Sequence, residues 1–157
     1  GCIPVSLAKM LDDAQVESWD ISVEALQVAR RNGERNGVNV CFRQKDVLTA
    51  VPEGNLYDVM VSNPPYIAES ERVNMDANVL DWEPSIALFV PDSDPLLFYR
   101  KIAELGLEML VPGGSLYFEI NRAYGAMMKS MLENMGYRYV ELRKDMFGND
   151  RMIKAIK

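Results

Sequence analysis

Histidine is absent from this sequence of 157 residues, and cysteine occurs only twice, as Cys2 and Cys41. Without histidine, the chain lacks the side chain that most often acts as a general base or metal ligand near neutral pH. Two cysteines so far apart in sequence indicate neither a disulfide framework nor the ligand spacing of a metal site. Free thiols fit a reducing compartment. The sequence therefore predicts a cytoplasmic protein that binds no metal.

Positive charge is also scarce, because 17 lysines and arginines stand against 23 aspartates and glutamates, and the net charge is −6. An acidic surface repels a phosphate backbone, so we expect no direct binding to nucleic acid. No apolar run approaches the roughly 20 residues that a membrane-spanning helix requires, so we expect no membrane partner.

The sequence does contain enough apolar residues for one globular domain, with 48% hydrophobic and 25% charged residues. Helical and strand-like segments alternate along the chain, which predicts an α/β fold with a parallel sheet covered on both faces. A closing antiparallel hairpin is expected at one edge of that sheet. The predicted helices are 3–11, 22–36, 94–110 and 122–135, and the predicted strands are 16–19, 38–43, 56–62, 115–120, 137–142 and 151–156.

Several element boundaries carry local signals. Ser22 is a typical N-cap for the second helix, and Gly37 is a typical residue to end it. Asp94 and Pro95 are expected to cap and begin the third helix. Residues 111–114 are predicted to form a turn, and residues 67–93 a long connection.

The residues Asn63, Pro64, Pro65 and Tyr66 directly follow the apolar strand predicted at 56–62. Each proline has a fixed φ and no N–H, and it keeps the residue before it out of the helical region, so this loop is stiff. The Asn63 side-chain oxygen and a free backbone carbonyl beside it would form two neighbouring acceptors, which suit a planar –NH2 group. Tyr66 could stack on the flat group that carries this nitrogen. Taken alone, the pattern also fits a simple proline turn capped by an asparagine.

Polar side chains also follow two earlier strands, where Asp20 ends the first and Asp46 follows the next. Ligands of parallel sheets bind outside the carboxyl ends of the strands. A carboxylate at position 20 could accept from both hydroxyls of a ribose, and Val47 beside Asp46 could flank an adenine. Individually, Asp20 also fits a helix N-terminal acid and Asp46 a turn residue. Together with Asn63, they are three polar groups at successive strand ends.

The chain resembles the PrmC/HemK family of protein glutamine methyltransferases over nearly its whole length. The Glu83-Pro84 pair and the tail distinguish this resemblance from the nucleic-acid adenine methyltransferases that share the same four-residue loop. The matching segments are Asp20-Ile21-Ser22, Ala25-Leu26, Val61-Ser62-Asn63-Pro64-Pro65-Tyr66-Ile67, Glu83-Pro84, Ala87-Leu88, Leu110, Pro112-Gly113-Gly114, Glu119-Ile120, Lys144-Asp145, Gly148 and Asp150-Arg151.

This resemblance implies a Rossmann-like class I methyltransferase sheet with a C-terminal hairpin, and S-adenosylmethionine as the methyl donor. The reaction it implies is methylation of the glutamine side-chain nitrogen in the Gly-Gly-Gln motif of a peptide-chain release factor. The implied catalytic groups are the Asn63 side chain and the Pro64 carbonyl. The implied substrate-binding residues are Asn63, Pro64, Pro65, Tyr66 and Glu83, and the implied cofactor-binding residues are Gly1, Asp20, Ile21, Asp46, Val47 and Asn63.

The beginning of the chain departs from the family pattern. The family has a glycine-rich loop on its first strand, and Gly1-Cys2-Ile3 matches only the end of that loop. The first strand of the sheet and a helical N-terminal domain have no counterpart here. Residues 1–157 are therefore expected to be an N-terminally truncated methyltransferase catalytic domain.

Three other functions remain open at this level. The substrate could be a glutamine of a ribosomal protein instead of a release factor. An adenine-N6 methyltransferase of DNA or RNA would need a basic groove and aromatic side chains for an extruded base, which the acidic balance argues against. The third alternative is an inactive fragment that only binds or oligomerises.

Overall fold

The structure is a computed structural model that describes residues 1–54, 56–74 and 88–157. It divides into two compact units, an N-terminal unit, Gly1–Ala50, and a C-terminal unit, Val51–Lys157.

The N-terminal unit consists of two helices and two parallel strands. The start of helix α2 confirms its predicted cap, because the Ser22 side chain accepts a hydrogen bond from the Ala25 N–H at 3.1 Å. Gly37 ends α2 with a φ of 65°, a left-handed conformation that glycine adopts without strain. Leu26 on α2 is buried. The elements are α1 (Cys2–Met10), β1 (Glu17–Asp20), α2 (Val23–Asn36) and β2 (Cys41–Gln44).

The C-terminal unit contains a four-stranded sheet in the order β3-β6-β8-β7. Strands β3 and β6 are parallel, whereas β8 runs antiparallel to both β6 and β7. The α/β class and the closing antiparallel hairpin are therefore confirmed. The elements are β3 (Tyr57–Ser62), β4 (Ile67–Ala68), β5 (Phe89–Val90), α3 (Leu97–Met109), β6 (Leu110–Glu119), α4 (Gly125–Asn134), β7 (Arg138–Lys144) and β8 (Asp150–Ile156), with short 3-10 helices at Glu69–Asn74 and Arg122–Tyr124.

The core of the C-terminal unit contains residues from α3, α4, β6 and β8. Tyr99 of α3 meets Phe118 of β6 edge to face, with ring centroids 5.3 Å apart. This geometry is favourable for aromatic pairs beyond the area that they bury. Met128 and Leu132 of α4 are fully buried, and the exposed fraction of Ile153 in β8 is only 1%. Among the methionines of α4, Met128 therefore contributes to the core, whereas Met127 is 52% exposed.

Several element boundaries differ from the sequence-based prediction. Strand β2 begins at Cys41 and not at position 38, and α4 begins at Gly125, after a 3-10 helix at 122–124. Helix α3 begins at Leu97 and not at Asp94, with Leu96 in the cap position, and the Asp94 carboxylate pairs with Arg100 at 2.8 and 3.0 Å. Residues 111–114 are part of β6 and form a bulge, with Gly113 at a φ of 82°. The predicted 67–93 connection contains β4, β5 and a 3-10 helix within its described part. Two-residue strands are too short to show the alternation by which strands are recognised.

Candidate active site

The 63–66 loop leaves the carboxyl end of β3. Asn63 is exposed, Pro64 is buried, and Pro65 and Tyr66 are partly buried. Because β3 and β6 are parallel and Ser62 lies opposite Phe118, both strands end at the same edge of the sheet. The loop therefore presents an asparagine side chain at the edge where ligands of parallel strands bind.

The Tyr66 side chain is tied to the end of the neighbouring strand. Its hydroxyl donates to Glu119 Oε1 at 3.4 Å, and Glu119 is the last residue of β6. The backbone carbonyl of Glu119 accepts from the Tyr99 hydroxyl at 3.1 Å, which connects the same residue to the core. Burial, followed by the negative charge of Glu119, raises the pKa of Tyr66. The phenol therefore stays protonated near neutral pH and remains a hydrogen-bond donor.

The backbone of the loop is held by a second group from the same edge. Asn121 Nδ2 donates to the Tyr66 carbonyl at 3.3 Å and to Glu71 Oε1 at 3.4 Å. Glu71 Oε1 also accepts from the Ala68 N–H at 3.0 Å. The Ile67 N–H, which comes directly after the loop, donates to the Leu88 carbonyl at 3.0 Å. The carboxyl end of the 63–66 loop is thus fixed by several contacts from distant parts of the chain.

From the sequence, Glu119 is identified only as part of a matching segment, and Asn121 and Glu71 receive no role. Glu119 lies near the end of the strand predicted at 115–120 and Asn121 directly follows it, where polar groups meet ligands or loops, so the sequence holds a signal for both. Glu71 lies in the predicted long connection and had no such signal. Glu83, which was expected to contact the substrate, lies outside the described residues.

In the N-terminal unit, Asp20 and Asp46 lie at the same edge of the β1–β2 pair. Asp20 is the last residue of β1, and Asp46 follows the end of β2. Asp20 lies opposite Gln44 in the parallel register, and the Lys45 N–H donates to the Asp20 carbonyl at 3.0 Å. Asp46 comes two residues after Gln44, the last residue of β2. The structure therefore brings the ends of these two strands together at one edge, as the parallel sheet requires.

Each of these two carboxylates also stabilises its own turn. Asp20 Oδ1 accepts from the Ser22 N–H at 2.9 Å, and Asp46 Oδ1 accepts from the Leu48 N–H at 2.9 Å. The local interpretations of both residues, as a helix-start acid and as a turn residue, therefore apply. They do not exclude a ligand role, because a carboxylate offers about four lone-pair positions and one such bond uses only one of them.

The other residues expected near the cofactor lie in the same unit. Ile21 is 43% exposed, and its carbonyl accepts from Gln44 Nε2 at 3.2 Å. Val47 is partly buried beside Asp46. Gly1 precedes α1 and packs against α2, because a Cβ atom at this position would lie 2.5 Å from Ala29 Cβ. Only glycine fits at this approach of the two segments.

Within residues 1–54, 56–74 and 88–157, no three histidine, cysteine, aspartate or glutamate side chains are placed so that they could hold a metal ion. No helix in this part of the chain has both the length and the apolar character needed to cross a membrane.

Comparisons with known proteins indicate one family. Residues 1–80 match the family model described as methyltransferase small domain. The chain is 58% identical over 156 residues to a release factor glutamine methyltransferase of Bacteroides thetaiotaomicron, covering 99% of the chain and 56% of that protein. It is 46% identical over 155 residues to a protein of the same name from Flavobacterium psychrophilum, covering 99% of the chain and 54% of that protein. The chain thus spans about half the length of these relatives.

Solved structures with the same fold include two methyltransferases. A methyltransferase from Pyrococcus furiosus matches with a TM-score of 0.69 and 21% identity, over 99% of this chain and 69% of that one. The N-methyltransferase NodS from Bradyrhizobium japonicum, in complex with S-adenosyl-L-homocysteine, matches with a TM-score of 0.57 and 15% identity, over 99% of this chain and 73% of that one. At these identities the likeness concerns the fold, and it confirms the predicted methyltransferase fold class.

Proposed function

The chain belongs to the methyltransferase small domain family, and from this premise we propose that it acts as a release factor glutamine methyltransferase. In this proposal residues 1–157 serve as one methyltransferase catalytic domain in the cytoplasm. The domain transfers a methyl group from S-adenosylmethionine to the side-chain nitrogen of the glutamine in the Gly-Gly-Gln motif of a peptide-chain release factor. Likeness to enzymes of that name over 99% of the chain supports the proposal.

The observation that carries the proposal is the anchored 63–66 loop. Asn63 is exposed at the start of the loop, while the Tyr66 hydroxyl and carbonyl are both held by groups from the end of β6 and the segment after it. A fixed pair of acceptors suits a substrate whose nitrogen must be oriented before it reacts. A loop that only reversed the chain direction would not need such anchoring.

The chemistry explains why two acceptors would be needed. An amide nitrogen is a weak nucleophile because its lone pair is delocalised into the carbonyl group. In the proposed mechanism the Asn63 side-chain oxygen and the Pro64 carbonyl each accept one hydrogen of the substrate –NH2 group. These bonds raise electron density on the nitrogen and direct its lone pair, and preorganised acceptors require little rearrangement during the reaction. S-adenosylmethionine would supply an electrophilic methyl group on a sulfonium.

Substrate binding would use the rest of the loop. The Tyr66 ring is partly buried and tied at its hydroxyl, so its face can stack on the planar glutamine amide without losing much freedom on binding. Pro65 would restrict the approach of the substrate chain. Glu83 is proposed to contact the substrate as well.

The cofactor would be held mainly by the N-terminal unit. Asp20 and Asp46 follow neighbouring strand ends, and both have acceptor capacity beyond their turn hydrogen bonds. This set fits a nucleoside, because the ribose hydroxyls and the adenine amino group are donors. The exposed side chain of Ile21 provides an apolar contact for the base. The proposed cofactor-binding residues are Gly1, Asp20, Ile21, Asp46, Val47 and Asn63.

A methyl-transfer assay with labelled S-adenosylmethionine would test this function on the whole protein that contains these residues. The substrates are a release factor, the same factor with its Gly-Gly-Gln glutamine changed to glutamate, a ribosomal protein and an adenine-containing oligonucleotide. We expect label only in the unchanged release factor, and an initial rate that is lower by about 100-fold or more with Asn63→Ala. Label in the ribosomal protein or the oligonucleotide instead would contradict the proposal, as would absence of transfer to every substrate.

A further inference from the structure

We propose that Asn121 is a positioning residue that locks the 63–66 loop in the geometry needed for catalysis. This inference rests on the proposed function, because it assigns a role within the same site. Asn121 lies just beyond the end of β6, and it contacts the loop through the carbonyl of Tyr66. It would not touch the reacting atoms, and it would act through the backbone of the loop.

The Asn121 side chain uses all of its hydrogen-bonding groups in one orientation. Its Oδ1 accepts from the Ala123 N–H at 3.0 Å and so caps the 3-10 helix Arg122–Tyr124. Its Nδ2 donates to the Tyr66 carbonyl and to Glu71 Oε1. An amide flip would place an oxygen against both of those acceptors and a donor against the Ala123 N–H. Three partners therefore define which way the amide points.

Glu71 makes this contact a bridge across the strand that follows the loop. Its Oε1 atom accepts from Asn121 Nδ2 and from the Ala68 N–H at 3.0 Å. Along the chain, Tyr66 directly precedes β4, Ile67–Ala68, and Glu71 follows it. One asparagine amide thus holds the residue before this short strand and, through Glu71, the second residue of the strand itself.

The two bonds from Nδ2, at 3.3 and 3.4 Å, are longer than the common N–H···O distance of about 2.9 to 3.0 Å. Each alone would restrain the loop weakly, so the restraint comes from their combination with the Tyr66–Glu119 contact. Hydrogen bonds of a catalytic site are often long before substrate binds, and they shorten in the complex. The same shortening is expected here when an amide docks against Tyr66.

The two prolines explain how a restraint at Tyr66 reaches the catalytic acceptors. Pro65 has a fixed φ angle and restricts the conformation of Pro64 before it, so fewer free torsions remain between the Tyr66 carbonyl and the Pro64 carbonyl. Holding one end of this stiff segment therefore holds the other. A displacement of about 1 Å in a positioning group can reduce a rate about 100-fold. Loss of the Asn121 donors should consequently affect turnover more than stability.

The test uses Asn121→Asp in the whole protein, because this change keeps the Oδ1 acceptor for Ala123 while it replaces both Nδ2 donors with an oxygen. We expect kcat for release factor methylation to fall about 10-fold to 100-fold, with little change in the KM for S-adenosylmethionine or in the melting temperature. The matched control is Asn39→Asp, which makes the same charge change at an exposed position and should retain wild-type kcat.

A second substitution distinguishes the bridge from a general effect of charge. Glu71→Gln in the Asn121→Asp background removes the repulsion between the two carboxylates but restores no donor to the Tyr66 carbonyl, because Ala68 and Asn121 both contact the same oxygen, Oε1. We expect the kcat of this double variant to stay within about two-fold of the Asn121→Asp value. A kcat within about two-fold of wild type for Asn121→Asp, or recovery of wild-type kcat in the double variant, would overturn the positioning role.

A readout that needs no substrate separates this inference from the proposed function. Hydrogen exchange of the Ala68 amide should be faster in Asn121→Asp than in wild type and in Asn39→Asp, because Asn121 holds Glu71 against that amide. If the wild-type protein fails to methylate a release factor, the proposed function fails, and the exchange result alone decides the restraint. Unchanged exchange at Ala68 would refute the restraint whatever the activity.

Discussion

The polar edges of the two units are built in different ways, although both follow the ends of parallel strands. In the N-terminal unit, Asp20 and Asp46 make side-chain bonds to residues only two positions further along the chain. In the C-terminal unit, Tyr66 is held by Glu119 and Asn121, which are 53 and 55 positions away. The edge of the N-terminal unit that carries Asp20 and Asp46, called the acidic edge below, is therefore shaped by local turns. The 63–66 loop instead depends on the tertiary structure around it.

This difference matches the proposed division of tasks. A cofactor edge needs acceptors of the right chemistry, and local turns can supply them. A catalytic loop needs acceptors at a fixed position, and only contacts from other elements can hold a loop that firmly. Substitutions in the C-terminal unit are thus expected to change turnover, and substitutions at the acidic edge to change cofactor affinity.

The largest effect is expected for Asn63→Ala, which removes one of the two proposed acceptors. In steady-state assays with a release factor, kcat should fall about 100-fold or more, as it does when one preorganised polar group is lost. Calorimetry should show a smaller change in S-adenosylhomocysteine affinity. A variant that methylates within a few-fold of wild type would remove Asn63 from the mechanism.

The next largest effect is expected for Asp20→Asn in the N-terminal unit, which should weaken cofactor binding. This change keeps the Oδ1 acceptor for the Ser22 N–H but removes the charge, so the turn and the start of α2 should survive. A hydrogen bond to a charged group contributes about 1.5 to 3 kcal/mol, which corresponds to about a 10-fold to 100-fold weaker Kd for S-adenosylhomocysteine. The melting temperature serves as the control. An unchanged Kd in calorimetry would contradict the cofactor role.

A smaller change is expected for Tyr66→Phe, which keeps the ring and loses the hydroxyl contacts with Glu119 and Arg151. The net value of one such bond is about 1 kcal/mol, so kcat should fall about 5-fold to 10-fold while cofactor affinity is retained. Glu119→Gln retains an oxygen acceptor for the hydroxyl and should be milder than Glu119→Ala. Equal losses for these two substitutions would show that the acceptor is unimportant.

The smallest effect concerns alkaline pH. Burial and Glu119 raise the pKa of Tyr66 in the folded state, so this group stabilises the fold below the unfolded tyrosine pKa of about 10. That contribution is lost as pH rises through the higher folded-state pKa. Between pH 8 and pH 11, denaturant unfolding should therefore show a larger loss of stability for wild type than for Tyr66→Phe. Tyr139→Phe, at a tyrosine that is 83% exposed, should behave like wild type.

The sequence could predict those features whose causes are local. Ser22 caps the start of α2 and Gly37 caps its end, as expected, because capping depends on a few neighbouring residues. The start of α3 differs from the prediction, since Leu96 takes the cap position and the Asp94 carboxylate pairs with Arg100, six positions further along the chain. The stiffness of the 63–66 loop follows from its prolines, but its contact with Asn121 depends on the fold. Long-range contacts of this kind leave no periodic pattern in the sequence.

The central claim is that the chemistry occurs on a glutamine side-chain nitrogen. Tandem mass spectrometry can locate the methyl group after a release factor is incubated with the whole protein and S-adenosylmethionine that carries a deuterated methyl. We expect the label on the glutamine of the Gly-Gly-Gln motif, and an initial rate of labelling that is lower by about 100-fold or more when Asn63→Ala replaces the wild-type protein. A label on any other residue of the release factor, or an equal yield with Asn63→Ala, would contradict the account.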